Sequence, residues 1–377
     1  VTTTSAGGAV SRRPHAAARW EDRLNRRVVA VLRRRGWTER VEAYAGYGGP
    51  GWVRVLARVV LAAPAVADAD LPGAGGAEQA GAPEDAPAVR GWRSFATAQV
   101  PGGRLHARIG TVEHDLPADR GGYVDVVVSS DLPPGWHDVV LTSVDGRSST
   151  ARIHVVGAEE QVGLVSDIDD TVMVTRLPRP LVAAWNVLVR SESAREPVPG
   201  MSRLYAALTG GQERFPVVYL STGAWNAGPA IARFLHRHRY PGGPLLLTDW
   251  GPTNTGWFRS GREHKRAQLE RLVTELPQVR WLLVGDDGQR DPEVYAEVVR
   301  RHPDRVRAVL LRQLTFAEHV LAHGAPVPVP QRPADRGGPA AGTGTGAEDQ
   351  LPVEVLQGPD GDALLDEARR RGLLPDA

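Results

Sequence analysis

Hydrophobic positions change their period three times along this chain, and each change marks a candidate unit. Within 19–35, Trp20, Leu24, Val28, Val31 and Leu32 recur at steps of three and four, which predicts one amphipathic helix with arginine filling the rest of its surface. From 52 to 156 the pattern shifts to short β-rich runs between turn residues. It predicts strands at 53–61, 92–100, 105–109, 123–128, 137–142 and 151–156, arranged as an antiparallel sandwich or barrel. From 162 to 323, apolar runs at 162–165, 216–220, 245–247, 281–284 and 306–311 alternate with helix-like stretches such as 227–238 and 265–276, the mark of a parallel α/β sheet. Beyond 324 the chain reads Pro-Val-Pro-Val-Pro and then Gly-Thr-Gly-Thr-Gly, with too little apolar content to offset ordering entropy. The expected organisation is a basic amphipathic helix in 1–40, a β-sandwich-like domain in 41–157, an α/β domain in 158–323, and a Pro/Gly-rich disordered tail in 324–377 with a short terminal helix over 363–371.

Charge changes this picture only locally. The 45 Lys+Arg against 44 Asp+Glu leave a net charge of +1, so no global field calls for nucleic acid, and none is expected as a partner. Residues 1–40, however, hold ten arginines against Glu21, Asp22 and Glu39. A helix carrying that charge over 12–35 suits peripheral contact with an anionic membrane; it equally suits docking on its own protein with a solvated basic face. Cysteine is absent, which removes disulfides, zinc-thiolate sites, iron-sulfur clusters and thiol catalysis, and fits a cytoplasmic location. The richest apolar stretch, 53–67, is interrupted by Arg54, Arg58 and Pro64, so no spanning helix is expected. Nor does the N-terminus read as a secretory signal. The segment Gly46-Tyr47-Gly48-Gly49-Pro50-Gly51 satisfies G-x-G-x-x-G, but a dinucleotide site needs a strand before and a helix after it. A strand follows here, so the motif is rejected.

The chemistry concentrates at strand ends. Asp167-Ile168-Asp169-Asp170-Thr171 follows the first α/β strand directly, and ligands of open α/β folds bind outside the carboxyl ends of strands. Two like charges about 4 Å apart cost roughly 4 kcal/mol at an effective dielectric of 20, so packed carboxylates there call for a cation or for solvent. A second strand ends in Ser221-Thr222-Gly223, which places hydroxyls where an anion could be held, while Tyr219 breaks the G-x-S-x-G pattern of serine hydrolases. A third runs into Gly285-Asp286-Asp287-Gly288-Gln289-Arg290-Asp291, whose carboxylates are hard oxygen ligands suited to Mg²⁺. Of the 45 basic residues 44 are arginine, and the lysine is Lys265, in the helix leading to the third strand. An ammonium differs from a guanidinium in shape, hydration and hydrogen-bond geometry, which gives the exception a physical reason.

In order, Asp-x-Asp-x-Thr, Ser after a strand, Lys, and Gly-Asp-x-x-x-x-Asp resemble the haloacid dehalogenase-like phosphatases over 162–314. More narrowly, Asp167–Thr171, Leu247-Thr248-Asp249-Trp250-Gly251, His264-Lys265 and the Gly285–Asp291 loop resemble the actin-patch phosphatidate phosphatase family, as does the N-terminal Tyr44-Ala45-Gly46-Tyr47-Gly48 segment. The resemblance implies a Mg²⁺-dependent phosphomonoesterase with a Rossmann-like parallel sheet and an aspartyl-phosphate intermediate. Asp167 would be the nucleophile and Asp169 the acid and base. Ser221 and Lys265 would be catalytic, Thr171 and Thr222 would lie at the substrate, and Asp167, Asp169, Asp286 and Asp291 at the metal. The implied substrate is a lipid phosphate such as phosphatidate. A soluble phosphoester and a non-catalytic scaffold are the alternatives.

Overall fold

The computed structural model describes residues 27–63, 97–174, 195–248, 261–288, 290–315, 318 and 351–375. The chain divides into two compact units, 1–159 with 218–268 and 160–217 with 269–377.

The first sheet has nine strands: β1 (Thr38–Ala43), β2 (Gly46–Gly49), β3 (Trp52–Ala62), β4 (Thr97–Gln99), β5 (Arg104–Ile109), β6 (Val112–Pro117), β7 (Tyr123–Ser129), β8 (Gly135–Ser143) and β9 (Ser148–Val155). Their hydrogen-bonded order is β1-β3-β2-β9-β8-β5-β6, with β4 and β7 also paired to β3. Pairing is antiparallel throughout except between β2 and β9. One apolar cluster takes alternate residues Val53, Val55, Ala57, Val59 and Leu61 from β3 and joins them to Leu105, Ala107 and Ile109 of β5 and Val139 and Leu141 of β8. The expected antiparallel β-rich domain is thus a single, mostly antiparallel nine-stranded sheet with this cluster as its core.

The period of two explains how β3 carries two arginines. Arg54 and Arg58 fall on the face away from the cluster, where Arg54 pairs with Asp125 and Arg58 lies 4.8 Å from the centroid of the Tyr123 ring. The glycine-rich segment at 46–51 is β2 and a turn into β3, so no helix follows it. Strands β1, β2 and β6 were not anticipated. The first two lie in a segment without an apolar run, and β6 reads VEHDLP with one buried residue, so its place comes from pairing with β5.

Ahead of β1 the described chain is helical from 27 to 34. Val29 and Leu32 pack against the sheet's core, whereas Val28 and Val31 are exposed. Leu32 thus faces the core as the expected stripe has it, whereas Val28 and Val31 do not, and Val29 joins Leu32 at i, i+3 on the docked face. Trp20 and Leu24 lie outside the described residues.

The second sheet contains β10 (Gln161–Asp167), β11 (Val217–Ala224), β12 (Leu245–Thr248), β13 (Val279–Asp286), β14 (Val306–Arg312) and β15 (Glu354–Gly358), in the order β12-β11-β10-β13-β14-β15. Between them run α1 (Met201–Thr209), α2 (Gly228–Arg237), α3 (Gly261–Glu275) and α4 (Asp291–Arg301), and α5 (Gly361–Arg370) follows β15. The pairs β10 with β13, β11 with β12, β13 with β14 and β14 with β15 are parallel. The chain steps outward from β10 to β12, then returns to β13 on the other side of β10. That reversal is the switch point at which open α/β sheets place their ligands.

The sequence predicts disorder after 324, and residues 324–350 lie outside the described residues. From 354, though, the chain forms β15, parallel to β14, and α5, which packs on α1. Only Val355 and Leu356 give β15 an apolar signal. Its place rests on the open backbone edge of β14, which composition does not register.

Candidate active site

β10 and β13 are adjacent, with Ser166 opposite Val284. Their last residues, Asp167 and Asp286, therefore emerge side by side at the carboxyl edge. Asp291 begins α4, whose first turn carries Asp291, Pro292 and Glu293 and whose last turn carries Arg300 and Arg301. That charge order complements the helix dipole and puts a carboxylate at the helix start. Asp167, Asp286 and Asp291 are at most 1% exposed, and each offers a ligand oxygen within 4.8 Å of the others.

Close backbone approach makes the cluster possible. A Cβ on Gly285 would stand 2.6 Å from Asp291 Oδ2 and 2.8 Å from Tyr295 Cε2, so only glycine lets Asp291 and Tyr295 approach β13 there. The Gly288 N–H donates to Asp286 Oδ1 at 2.8 Å, which sets the turn after the strand. Asp287 faces the other way: its Oδ1 accepts from the Leu314 N–H at 2.8 Å.

The loop after β10 is equally ordered. The Val172 N–H donates to Ile168 O at 2.9 Å and the Asp170 N–H to Met173 O at 2.8 Å, and Asp170 takes a left-handed φ of 60°. Thr171 is fully buried, and its hydroxyl donates to Asp167 Oδ2 at 3.4 Å. Asp169, two residues beyond Asp167, is half-buried and is not one of the clustered carboxylates. On the other side, Ser166 Oγ lies 2.5 Å from Tyr205 Oη and donates to Asp167 O at 2.5 Å.

Two residues here escaped the sequence reading. Tyr295 donates from its hydroxyl to Val284 O at 3.0 Å. Burial, and then the charges of Asp291, Asp167 and Asp286 together with Tyr205, push its phenol well above the usual range, so it stays protonated as a neutral wall of the cluster. Arg312, at the end of β14, donates to Asp170 O at 2.7 Å. Arg312 is one of 44 arginines and Tyr295 sits on an ordinary amphipathic helix, so neither carried a distinguishing signal.

The remaining expected residues belong to the other unit. Ser221 is fully buried in β11, and its Oγ accepts from the Gly223 N–H at 2.9 Å. Thr222 is half-buried, and its carbonyl accepts from the Thr248 hydroxyl at 2.8 Å. Just beyond, Trp225 packs on Tyr44 with ring centroids 4.8 Å apart. Lys265 is 3% exposed, and it is the fifth residue of α3, so the helix begins a turn earlier than the apolar pattern indicates. Its neighbour His264 is buried, with Nε2 3.4 Å from Leu246 O. Asp249, Trp250 and Gly251 lie outside the described residues.

Three buried carboxylates this close fit a hard divalent cation. The donors are all oxygen, and 4.8 Å is about the distance between opposite ligands of one ion at roughly 2.1 to 2.4 Å per bond. Without a counter-charge, each pair at that distance repels by about 3.5 kcal/mol at an effective dielectric of 20.

Comparison with known proteins reaches the same segment. Residues 162–313 match the family described as phosphatidate phosphatase APP1, catalytic domain. An uncharacterized protein of Schizosaccharomyces pombe is 22% identical over 154 residues, covering 41% of this chain and 25% of that protein. The phosphatidate phosphatase APP1 of Saccharomyces cerevisiae is 20% identical over 200 residues, covering 52% of this chain and 34% of that protein. The chain thus spans about a third or less of either relative. Among solved structures, a carbohydrate acetylesterase from Xanthomonas citri aligns over 76% of this chain and 74% of its own at 9% identity and a TM-score of 0.25, too low to indicate a common fold. Two adjacent strand ends and the start of the following helix supply the three carboxylates, and all three lie within the segment, residues 162–313, that is similar to the phosphatidate phosphatase APP1 catalytic domain.

Proposed function

We propose that this protein is a Mg²⁺-dependent phosphomonoesterase that acts on a lipid phosphate such as phosphatidate. The observation that carries the reading is the buried Asp167, Asp286 and Asp291 cluster within the family-matched segment. Asp167 attacks phosphorus with one carboxylate oxygen; the bond to the leaving alcohol breaks as the aspartyl-phosphate forms, and Asp169 gives that alcohol its proton. Asp169, now ionised, takes a proton from water as the water oxygen attacks phosphorus, which releases phosphate and regenerates Asp167. Thr171 holds Asp167 in orientation through its hydroxyl contact. Ser221 and Thr222 are assigned to the phosphoryl oxygens, and Lys265 to the charge on them. Asp167, Asp286 and the backbone carbonyl of Asp169, with Asp291 supporting them, would hold Mg²⁺, which when bound offsets the negative charge of the carboxylates and the phosphoryl group.

The membrane part of the reading rests on the N-terminal helix. Its exposed residues over 27–35 include Arg27, Arg34 and Arg35 beside Val28 and Val31, a mixture that suits an anionic lipid surface. Among the described residues no helix is long and apolar enough to cross a membrane.

Phosphate release from phosphatidate vesicles tests the function. Release is expected to require Mg²⁺, to stop on chelation, and to fall at least about a thousandfold in Asp167→Asn, as covalent catalysis requires. Activity that survives Asp167→Asn rejects the nucleophile. Faster release from soluble monoesters than from vesicles moves the site to a soluble substrate.

A further inference from the structure

Arg312 is the residue on which both acidic loops converge. Its carbonyl accepts from the Asp287 N–H at 2.9 Å, in the loop that follows Asp286. Its guanidinium donates through Nη1 to Asp170 O at 2.7 Å, in the loop that follows Asp167. The remaining donors are also engaged. Nη2 pairs with Glu318 Oε1 at 2.6 Å, and Nε donates to Pro359 O at 3.3 Å, between β15 and α5. The side chain is about 6% exposed, so these contacts form away from water, where a planar fork of fixed donors orients its acceptors. The next residue continues the link, since the Gln313 N–H donates to Gly358 O at 2.7 Å.

What Arg312 grips is an unusual stretch of backbone. Among the described residues only Asp170 and Arg239 take a positive φ without being glycine. For an L-residue that conformation is disfavoured and persists where surrounding structure fixes it. Asp170 lies three residues after Asp167 and directly before Thr171, whose hydroxyl touches the Asp167 carboxylate. A shift of the Asp170 carbonyl therefore moves Thr171, and with it the orientation of Asp167 relative to Asp286.

We infer that Arg312 is a positioning residue for the carboxylate cluster, holding the Asp167 loop and the Asp286 loop in register and tying both to the C-terminal β15–α5 segment, which lies outside the family-matched region. The inference deepens the proposed phosphatase reading and rests on it for the reaction, though not for metal binding. It gives the C-terminal segment a function: Pro359 and Glu318 fix the guanidinium from behind, so the order of the site depends on elements that contribute no ligand.

The test uses the full chain, comparing wild type with Arg312→Ala, Arg312→Lys and Arg203→Ala. Arg203 forms an exposed ion pair with Asp362 at 2.5 Å, joining α1 to α5 without touching either acidic loop. Mg²⁺ affinity is measured by titration calorimetry, kcat and KM by phosphate release from phosphatidate vesicles, and folding by circular dichroism. Residues supporting a metal's ligands typically change affinity or activity by about 10- to 100-fold. Arg312→Ala is expected to weaken Mg²⁺ binding and lower kcat by at least about tenfold each, with KM within about threefold. Arg312→Lys should recover only part, because one ammonium cannot match three acceptors arranged around a fork. Arg203→Ala should stay within about twofold of wild type in both readouts. A folded Arg312→Ala with wild-type Mg²⁺ affinity overturns the inference, as does Arg203→Ala losing as much as Arg312→Ala. If Arg312→Ala does not fold, Arg312→Lys decides by the same affinity criterion. Wild type that binds Mg²⁺ but releases no phosphate rejects the proposed function and leaves the titration to decide on Arg312; wild type that does neither rejects both.

Discussion

Asp286→Asn separates the electrostatics of the cluster from any assumption about substrate. Asp286, Asp167 and Asp291 are buried with oxygens within 4.8 Å of one another, and Asp286 takes part in two of the three pairwise repulsions. Each is worth about 3.5 kcal/mol at an effective dielectric of 20. Solvent screening relieves part of this, so we expect an amide of the same size to stabilise the metal-free protein by about 2 to 4 kcal/mol, less than the full pairwise total. At about 2 to 4 °C per kcal/mol for a domain of 150 to 250 residues, the unfolding midpoint in EDTA should rise by several degrees. Saturating Mg²⁺ should have the opposite preference. Wild type gains about 2.7 kcal/mol at a hundred times its dissociation constant, and Asp286→Asn gains little. Thermal unfolding of both proteins, with EDTA and with Mg²⁺, measures the two effects together. An Asp286→Asn midpoint in EDTA at or below that of wild type, or an equal Mg²⁺ increment in the two proteins, would refute the idea that these carboxylates are held together against their own repulsion for a cation.

Three further outcomes follow from the packing and the charges. Gly285→Ala places a methyl 2.6 Å from Asp291 Oδ2 and 2.8 Å from Tyr295 Cε2, both buried, and should cost about 1 to 3 kcal/mol in urea unfolding together with weaker Mg²⁺ binding; wild-type values in both would contradict the packing. Gly361→Ala brings a Cβ to 2.2 Å from the Gly200 carbonyl carbon and the Met201 nitrogen, backbone that cannot swing aside, so amide exchange over 354–370 should quicken by at least about tenfold. Unchanged protection there would show that α1 and α5 do not depend on that approach. Glu39 is buried, and desolvation raises its carboxyl pKa while Arg33 opposes the shift. The folded protein therefore holds this proton more tightly than the unfolded chain; its stabilising contribution is complete below pH 4.5 and is lost as pH rises through the folded pKa. The stability difference between wild type and Glu39→Gln should decline over that window, and a difference that grew with pH would reverse the assignment.

Periodicity alone determined that this chain has a β-rich part followed by a parallel α/β part, because burial imposes a period of two on strands such as β5 and continuous apolar runs on doubly covered strands such as β10, β13 and β14. It also pointed to Asp167 and Asp286, since carboxylates placed directly after such runs lie at strand ends, and to Asp291 in the loop that follows Asp286. What it could not determine was anything set by contact between distant residues. The edge strand β15 has little apolar signal and takes its place from the free edge of β14. The docked face of the N-terminal helix depended on which of two apolar pairs met the sheet. Tyr295 and Arg312 look ordinary in sequence because their roles come from what they face, the three carboxylates in one case and the Asp170 carbonyl in the other. Composition records which groups are available, whereas a hydrogen bond spanning 142 residues exists only once the fold has closed that distance.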